Sequence, residues 1–284
     1  MTYEEHRHEP GDEHWWNESW YFDWGTEEIG GYVRVGLVPN QDACWYLLHV
    51  VTPDRVVRVD DKTAPIPTDA ALTVHGITHV GTDGTWRIAG TATAEELTAE
   101  ELVAGKQGRE VQVSVDLTWS TDGTPFEYDI TTRYEVPCLV SGTVTVDGQT
   151  REIVDAAGQR DHSWGVRDWK SSRWCWSAAR LADGTRWHVT DVVFPEFRFT
   201  TGYVDEVTVT DVDRTQEIDD LPRTARLVAA PTGTDVTVTP IAHGPTLITD
   251  DGDTWPFHRC LARFTTDAGD GLGWIEWNEA PVSG

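Results

Sequence analysis

Lysine is nearly absent from this 284-residue chain, occurring only at Lys62, Lys106 and Lys170. A clustered basic site of the kind that grips a diphosphate therefore has little to be built from. Lys and Arg together number 22 against 48 Asp and Glu, a formal charge of −26. A field of that sign repels phosphate backbones and anionic headgroups, which argues against nucleic acid as a partner and describes a solvated acidic surface. Long apolar runs are missing too. Nothing approaches the ~20 residues of a membrane-crossing helix, and the stretch from Met1 to Pro10 is charged rather than apolar. A cytoplasmic protein without a membrane span is expected. The four cysteines, Cys44, Cys138, Cys175 and Cys260, form no C-x-x-C pair and read as reduced core residues. There is no G-x-S-x-G elbow and no G-x-G-x-x-G fingerprint, and His6, His8 and His14 match no zinc spacing, so neither cofactor nor metal is expected.

What the chain does have is alternation. Val111, Val113, Val115, Leu117 and Trp119 are interleaved with Gln112, Ser114, Asp116 and Thr118, the period of two that marks a strand with one buried face. Similar short runs recur from Gly31 to Trp277, and Asp83-Gly84, Asp122-Gly123, Asp147-Gly148 and Asp183-Gly184 supply hairpin turns between them. Only the segment from Thr93 to Ala104 reads as a helix, with Leu97, Leu102 and Val103 on one side. So many strands with short connections predict an all-β protein. One lipocalin-sized unit takes about half of this length, which predicts two consecutive antiparallel barrel halves forming one compact unit, residues 1–155 and 156–284, with the seam near Asp155-Ala156-Ala157-Gly158. Oligomeric state is left open.

Three segments depart from ordinary strand patterning. The first, His14 to Trp24, is crowded with aromatics. On a strand Glu18, Trp20, Phe22 and Trp24 share one face, while Ser19, Tyr21 and Asp23 share the other. A carboxylate among three rings is costly to bury without a partner. The second, Gly158 to Trp169, is dense in groups that donate, accept or relay protons. Asp161 and His162 read as an acid/base pair, although neighbours on a regular strand face opposite ways and a direct contact requires a bulge. A buried Arg/Asp network joining the halves is the competing reading for Arg160 and Asp168. The third, Gly271 to Glu279, places Glu276 between Trp274 and Trp277. Burial there would raise its pKa and keep it protonated, the state of a general acid, unless Arg160 or Arg167 pairs with it.

Glu18-Ser19-Trp20-Tyr21-Phe22 resembles the E-W-W-Y-F element of the carotenoid 1,2-hydratase and AttH-like group, with serine in place of the first tryptophan. Asp161-His162-Ser163-Trp164-Gly165 resembles that group's later D-H-x-x-G element, in the same order and at a similar separation. The wider context around Asp161 is closer to uncharacterised relatives than to a true carotenoid hydratase. The resemblance implies tandem lipocalin-like (calycin) halves, in a group that includes hydratases of isoprenoid double bonds and more distant cyclases and pericyclic enzymes.

The favoured reading is an enzyme that protonates an apolar terpenoid- or steroid-like substrate and so adds or removes water, closes a ring or isomerises. It needs an acid, a proton acceptor and aromatic faces for a developing cation. Asp161 poised by His162 is the first candidate, with Glu276 and Glu18 as further catalytic groups and Glu276 an alternative donor. Trp20, Tyr21, Trp164, Arg167 and Trp274 are the candidate substrate contacts. The alternative is a non-catalytic carrier of a lipid or terpenoid, since barrels of this kind bind apolar molecules and fold does not decide function. A structural module is a third possibility.

Overall fold

The computed structural model describes residues 5–250 and 252–280. The chain first lays down β1 (Trp16–Gly25), β2 (Gly30–Val38), β3 (Ala43–Thr52), β4 (Arg55–Ala64), β5 (Ile77–Thr82), β6 (Thr85–Leu97), β7 (Arg109–Thr121), β8 (Phe126–Glu127), β9 (Arg133–Val146) and β10 (Gln149–Val166). These form one antiparallel sheet in the order β10-β1-β2-β3-β4-β6-β7-β9, and β10 also pairs with β9, which closes the ring. The second sheet holds β11 (Arg173–Arg180), β12 (Arg186–Val193), β13 (Arg198–Val204), β14 (Val207–Thr208), β15 (Asp211–Ile218), β16 (Pro222–Ala230), β17 (Thr234–His243), β18 (Thr246–Asp250), β19 (Asp253–Thr266) and β20 (Gly269–Asn278). Its order is β14-β13-β12-β11-β20-β19-β17-β16-β15. This sheet curls until Asp191 of β12 accepts hydrogen bonds from Arg198 of β13 and Arg214 of β15, each at 2.6 Å. The fold is the expected all-β pair of lipocalin-like halves. The chain crosses between sheets over residues 167–172, so Asp155 to Gly158 runs inside β10. Among the described residues no helix is long and apolar enough to cross a membrane.

Among the described residues, the three larger apolar clusters account for most of the packing. Trp20, Phe22 and Trp24 fill the first barrel together with Trp86, Trp119 and the inward face of β7. Cys175, Trp187, Phe264 and Trp277 lie within the second sheet's own core. Between the two sheets, Tyr21, Tyr32, Leu47, Trp176, Leu261 and Trp274 form a third. All ten residues of β1 are therefore buried: its inward face fills the barrel and its outward face meets the second sheet. A strand covered on both sides has no reason to alternate, which is the physical origin of the unpatterned aromatic segment.

Local chemistry explains the hairpins. Asp83-Gly84 and Asp147-Gly148 both take positive φ, +46° and +80° in the first and +47° and +77° in the second, as a type I′ turn requires. The expected helix from Thr93 to Ala104 is a correction. Strand β6 continues to Leu97, because Ala92 and Ala94 alternate into the barrel and pair with Val113 and Val111 of β7. Only Ala99–Val103 is helical, started by a capping box between Thr98 and Glu101. All four cysteines are buried free thiols.

The closed barrel carries a titratable probe of its own burial. His79 is fully buried, its Nδ1 2.8 Å from the Leu72 carbonyl and its Nε2 3.4 Å from the Tyr46 hydroxyl. Burial drives its pKa from 6.5 down to about 4. The folded chain keeps this imidazole neutral at pH 5, whereas the unfolded chain protonates it, so its stability contribution falls as pH drops from ~6.5 towards ~4. Between pH 7 and 5 the wild type should lose about 2 kcal/mol more than His79→Gln in denaturant unfolding. Equal losses in the two proteins would contradict this assignment.

Candidate active site between the two sheets

Strands β1 and β10 bring the first two unusual segments side by side, with Trp20 opposite His162 and Tyr21 opposite Asp161. The pairing is regular, so the two faces separate what the sequence places together. Asp161, Ser163, Ser19 and Tyr21 face the second sheet, while His162, Glu18 and Trp20 face into the first barrel. Asp161 and His162 do not share a site.

On the outward face a cavity of about 380 Å³ opens between the sheets. Strands of the first barrel contribute Asp161, Tyr21, Arg34 and Arg133, and those of the second sheet contribute Trp174, Trp176, Arg259 and Glu276. Arg167 and Trp169 enter from the crossing segment, and Phe194, Phe197 and Phe199 from the β12–β13 hairpin. The lip includes Ile130 and Phe197, which are 59% and 53% exposed. An apolar lip over a chamber with a few buried polar groups is the usual form of a small-molecule site.

Asp161 is 5% exposed, and its Oδ2 accepts a 2.8 Å hydrogen bond from Arg133 Nη2. Its pKa is pushed up to about 6, chiefly by burial, with the Arg133 charge opposing and Glu135 assisting. Glu276 is held by Arg259 at 2.7 Å and by the Trp174 indole N–H at 3.0 Å. Burial raises its pKa as well, against the pull of Arg259. Its partner is thus Arg259; Arg160 pairs instead with Glu5 at 2.8 Å, and Arg167 donates to the backbone carbonyls of Thr132, Trp164 and Val166. Tyr21 offers the cavity its ring, since its hydroxyl donates to Asp23 Oδ2 at 3.1 Å.

The inward face holds a separate cluster. Glu18 Oε1 lies 2.7 Å from His8 Nδ1 and 2.9 Å from His162 Nε2. His8 stacks on Trp164 at 3.9 Å and His162 on Trp20 at 4.6 Å. One ligand atom from each of His8, Glu18 and His162 lies within 4.8 Å of the other two, a spacing that a metal ion could bridge. The carboxylate's cost of burial, foreseen from the sequence, is met here by these hydrogen bonds. Trp274 belongs to neither group; its indole N–H donates to the Trp24 carbonyl at 2.9 Å, between the sheets.

Four groups central to the cavity escape sequence reasoning: Arg34, Arg133, Glu135 and Arg259. Glu135 lies just behind the wall with 0% exposure, and it accepts from Arg133, Gln159 and Trp176 at 2.8, 3.0 and 3.0 Å. Each is a charge set in an apolar strand, as in Tyr32-Val33-Arg34-Val35 and Arg133-Tyr134-Glu135-Val136. That pattern is the available signal.

Residues 2–281 match the domain family described as Domain of unknown function (DUF7064). No curated protein matches the chain in sequence. Among solved structures, an AttH-type protein of Nitrosomonas europaea is similar with a TM-score of 0.65 and 15% identity, covering 94% of this chain and 93% of its own. Kievitone hydratase of Nectria haematococca is similar with a TM-score of 0.59 and 13% identity, covering 93% of this chain and 89% of its own. The protein CghA gives 0.60 and 14%, covering 95% and 89%. At these identities the likeness establishes the fold.

Proposed function

The chain belongs to the DUF7064 family, and we propose that it is an acid-catalysed hydratase, dehydratase or cyclase acting on a small, largely apolar substrate in the cavity between its sheets. The observation that carries this reading is Asp161: a buried carboxyl with a raised pKa on the wall of an aromatic chamber that a second raised carboxyl, Glu276, also lines. A pKa of about 6 leaves roughly a tenth of Asp161 protonated at neutral pH, where an exposed aspartate would hold almost no proton. The structural likeness to kievitone hydratase, a protein named for hydration, adds support at the level of fold.

In the hydration direction the Asp161 carboxyl proton passes to one alkene carbon, and the π electrons form that C–H bond. The cationic carbon left behind is faced by Trp174 and Trp176, whose ring quadrupoles favour positive charge. Water adds to it, and the proton lost by the resulting oxonium returns to the Asp161 carboxylate or to Glu276. Arg133 stabilises the carboxylate formed on Asp161 through the 2.8 Å bond. In cyclisation a second double bond captures the cation by forming a C–C bond, and the new cation this leaves loses a proton from a neighbouring carbon to the Asp161 carboxylate or to Glu276, forming an alkene. His162 and Glu18 take no part, because they lie on the other face of the same strands.

Incubation with a panel of isoprenoid alkenes and tertiary alcohols in deuterated water tests the reading. Deuterium at carbon, dependent on enzyme, is expected for at least one member. Binding of panel members without deuterium incorporation or product formation would instead establish a carrier.

A further inference from the structure

The cavity is an electropositive island in a protein of formal charge −26. Its wall carries four guanidinium groups, Arg34, Arg133, Arg167 and Arg259, against two carboxyls, Asp161 and Glu276. Arg133 is engaged by Asp161 and by Glu135 behind the wall, and Arg259 gives Nη2 to Glu276. Nη1 of Arg34, and Nε and Nη1 of Arg259, are buried without a hydrogen-bond partner among the described residues.

Both side chains are set in place by their surroundings. The Arg34 guanidinium stands 5.1 Å over Trp169 and occupies the space that a Cβ at Gly36 would need. The Arg259 guanidinium is enclosed by Tyr21, Tyr32 and Phe257 at 4.5, 4.6 and 4.9 Å. Each is 5% exposed. The two cations repel one another: burial first and Arg259 second lower the pKa of Arg34 to about 10. Arg259 already shares its charge with Glu276, whereas the buried charge of Arg34, with no ion pair among the described residues, is destabilising unless an anion arrives to share it.

We infer that Arg34 and Arg259 form an anion subsite for the carboxylate of an amphipathic substrate, whose apolar body lies against Phe194, Phe197 and Phe199. Guanidinium edges match the two oxygens of a carboxylate. A diphosphate is disfavoured, since the carboxyls of Asp161 and Glu276 line the same cavity and no lysine does. The inference rests on the proposed function for the reaction it serves, and it narrows the substrate class to apolar acids.

Equilibrium binding separates the two proposals. Quenching of tryptophan fluorescence is measured with farnesoic acid, a long-chain fatty acid and an aromatic propenoic acid, each beside its methyl ester. Hydrogen bonds to a buried charge predict that at least one acid binds ~10–100-fold more tightly than its ester. Arg34→Met should erase that ratio while leaving ester affinity close to wild type, and Arg34→Gln is the second variant should the first fail to fold. A wild-type protein that prefers no acid over its ester overturns the subsite, as does a ratio that survives in the folded variant. Acid preference without deuterium incorporation overturns the catalytic reading alone; deuterium incorporation into neutral alkenes without acid preference overturns the subsite alone.

Discussion

Replacing Asp161 by asparagine should lower the rate of deuterium incorporation by ~10²–10⁴-fold, the contribution typical of a positioned general acid. Ligand affinity should change little. Asparagine fills the same volume, and its amide oxygen can keep accepting from Arg133, which also retains Glu135 as a partner. What is lost is the proton. The wild type carries its own control in pH: the protonated form is the acid, so activity should be full well below the Asp161 pKa of about 6 and fall about tenfold per unit above it. The residual activity of Asp161→Asn should lack that limb. Measured rates across pH 5 to 9 decide the matter, and a variant that turns over at the wild-type rate would end Asp161's candidacy and pass it to Glu276. His162→Gln gives the contrast. Because His162 bonds Glu18 inside the barrel, its replacement should cost stability while leaving the pH limb of the rate where it was.

The contrast between Asp161 and His162 also shows how far the sequence reaches. Alternation at Val111 to Trp119 was readable because β7 has one face in the barrel and one face outside the core. The Asp-Gly hairpins were readable because turn chemistry is local. In β1 and the middle of β10 both faces are buried, so a period-two pattern carries no information about which neighbour each residue meets. Asp161 and Glu276, from strands remote in sequence, do converge on one cavity, and Tyr21 and Arg167 join them. Trp20, Trp164, Glu18 and His162 are equally aromatic or ionisable, yet lie across the strand plane. Separating these sets requires the second sheet, whose docking side no local signal specifies. Arg34 and Arg259 illustrate the same limit. A lone arginine in an apolar strand marks a buried charge, but only the packed structure reveals that Arg34 has a buried donor without a partner among the described residues and that Arg259 holds Glu276.

Glu135→Ala should be the most destabilising single change at the site, by about 3–5 kcal/mol in denaturant unfolding, because it removes a fully buried carboxylate from its ion pair with the partly buried Arg133 and strands several donors at once. Arg133, Tyr128, Gln159 and Trp176 all direct hydrogen bonds at this one carboxylate. Trp176 comes from β11, so the carboxylate also ties the second sheet to the barrel. Tyr128 makes the same crossing, its hydroxyl 2.6 Å from Thr190 Oγ1 and 2.9 Å from His188 Nε2. Glu135→Gln keeps an acceptor for two of these donors but turns an amide N–H₂ towards others, and among the described residues it leaves Asp161 as the carboxylate on Arg133. A smaller loss is expected for it, about half that of alanine. The glutamine variant has a second, independent readout. The negative charge of Glu135 raises the Asp161 pKa, so its removal should move the alkaline limb of the rate profile to lower pH. A stability change below about 1 kcal/mol for Glu135→Ala would mean that solvent or rearranged side chains satisfy these donors, and that the carboxylate does not join the two sheets.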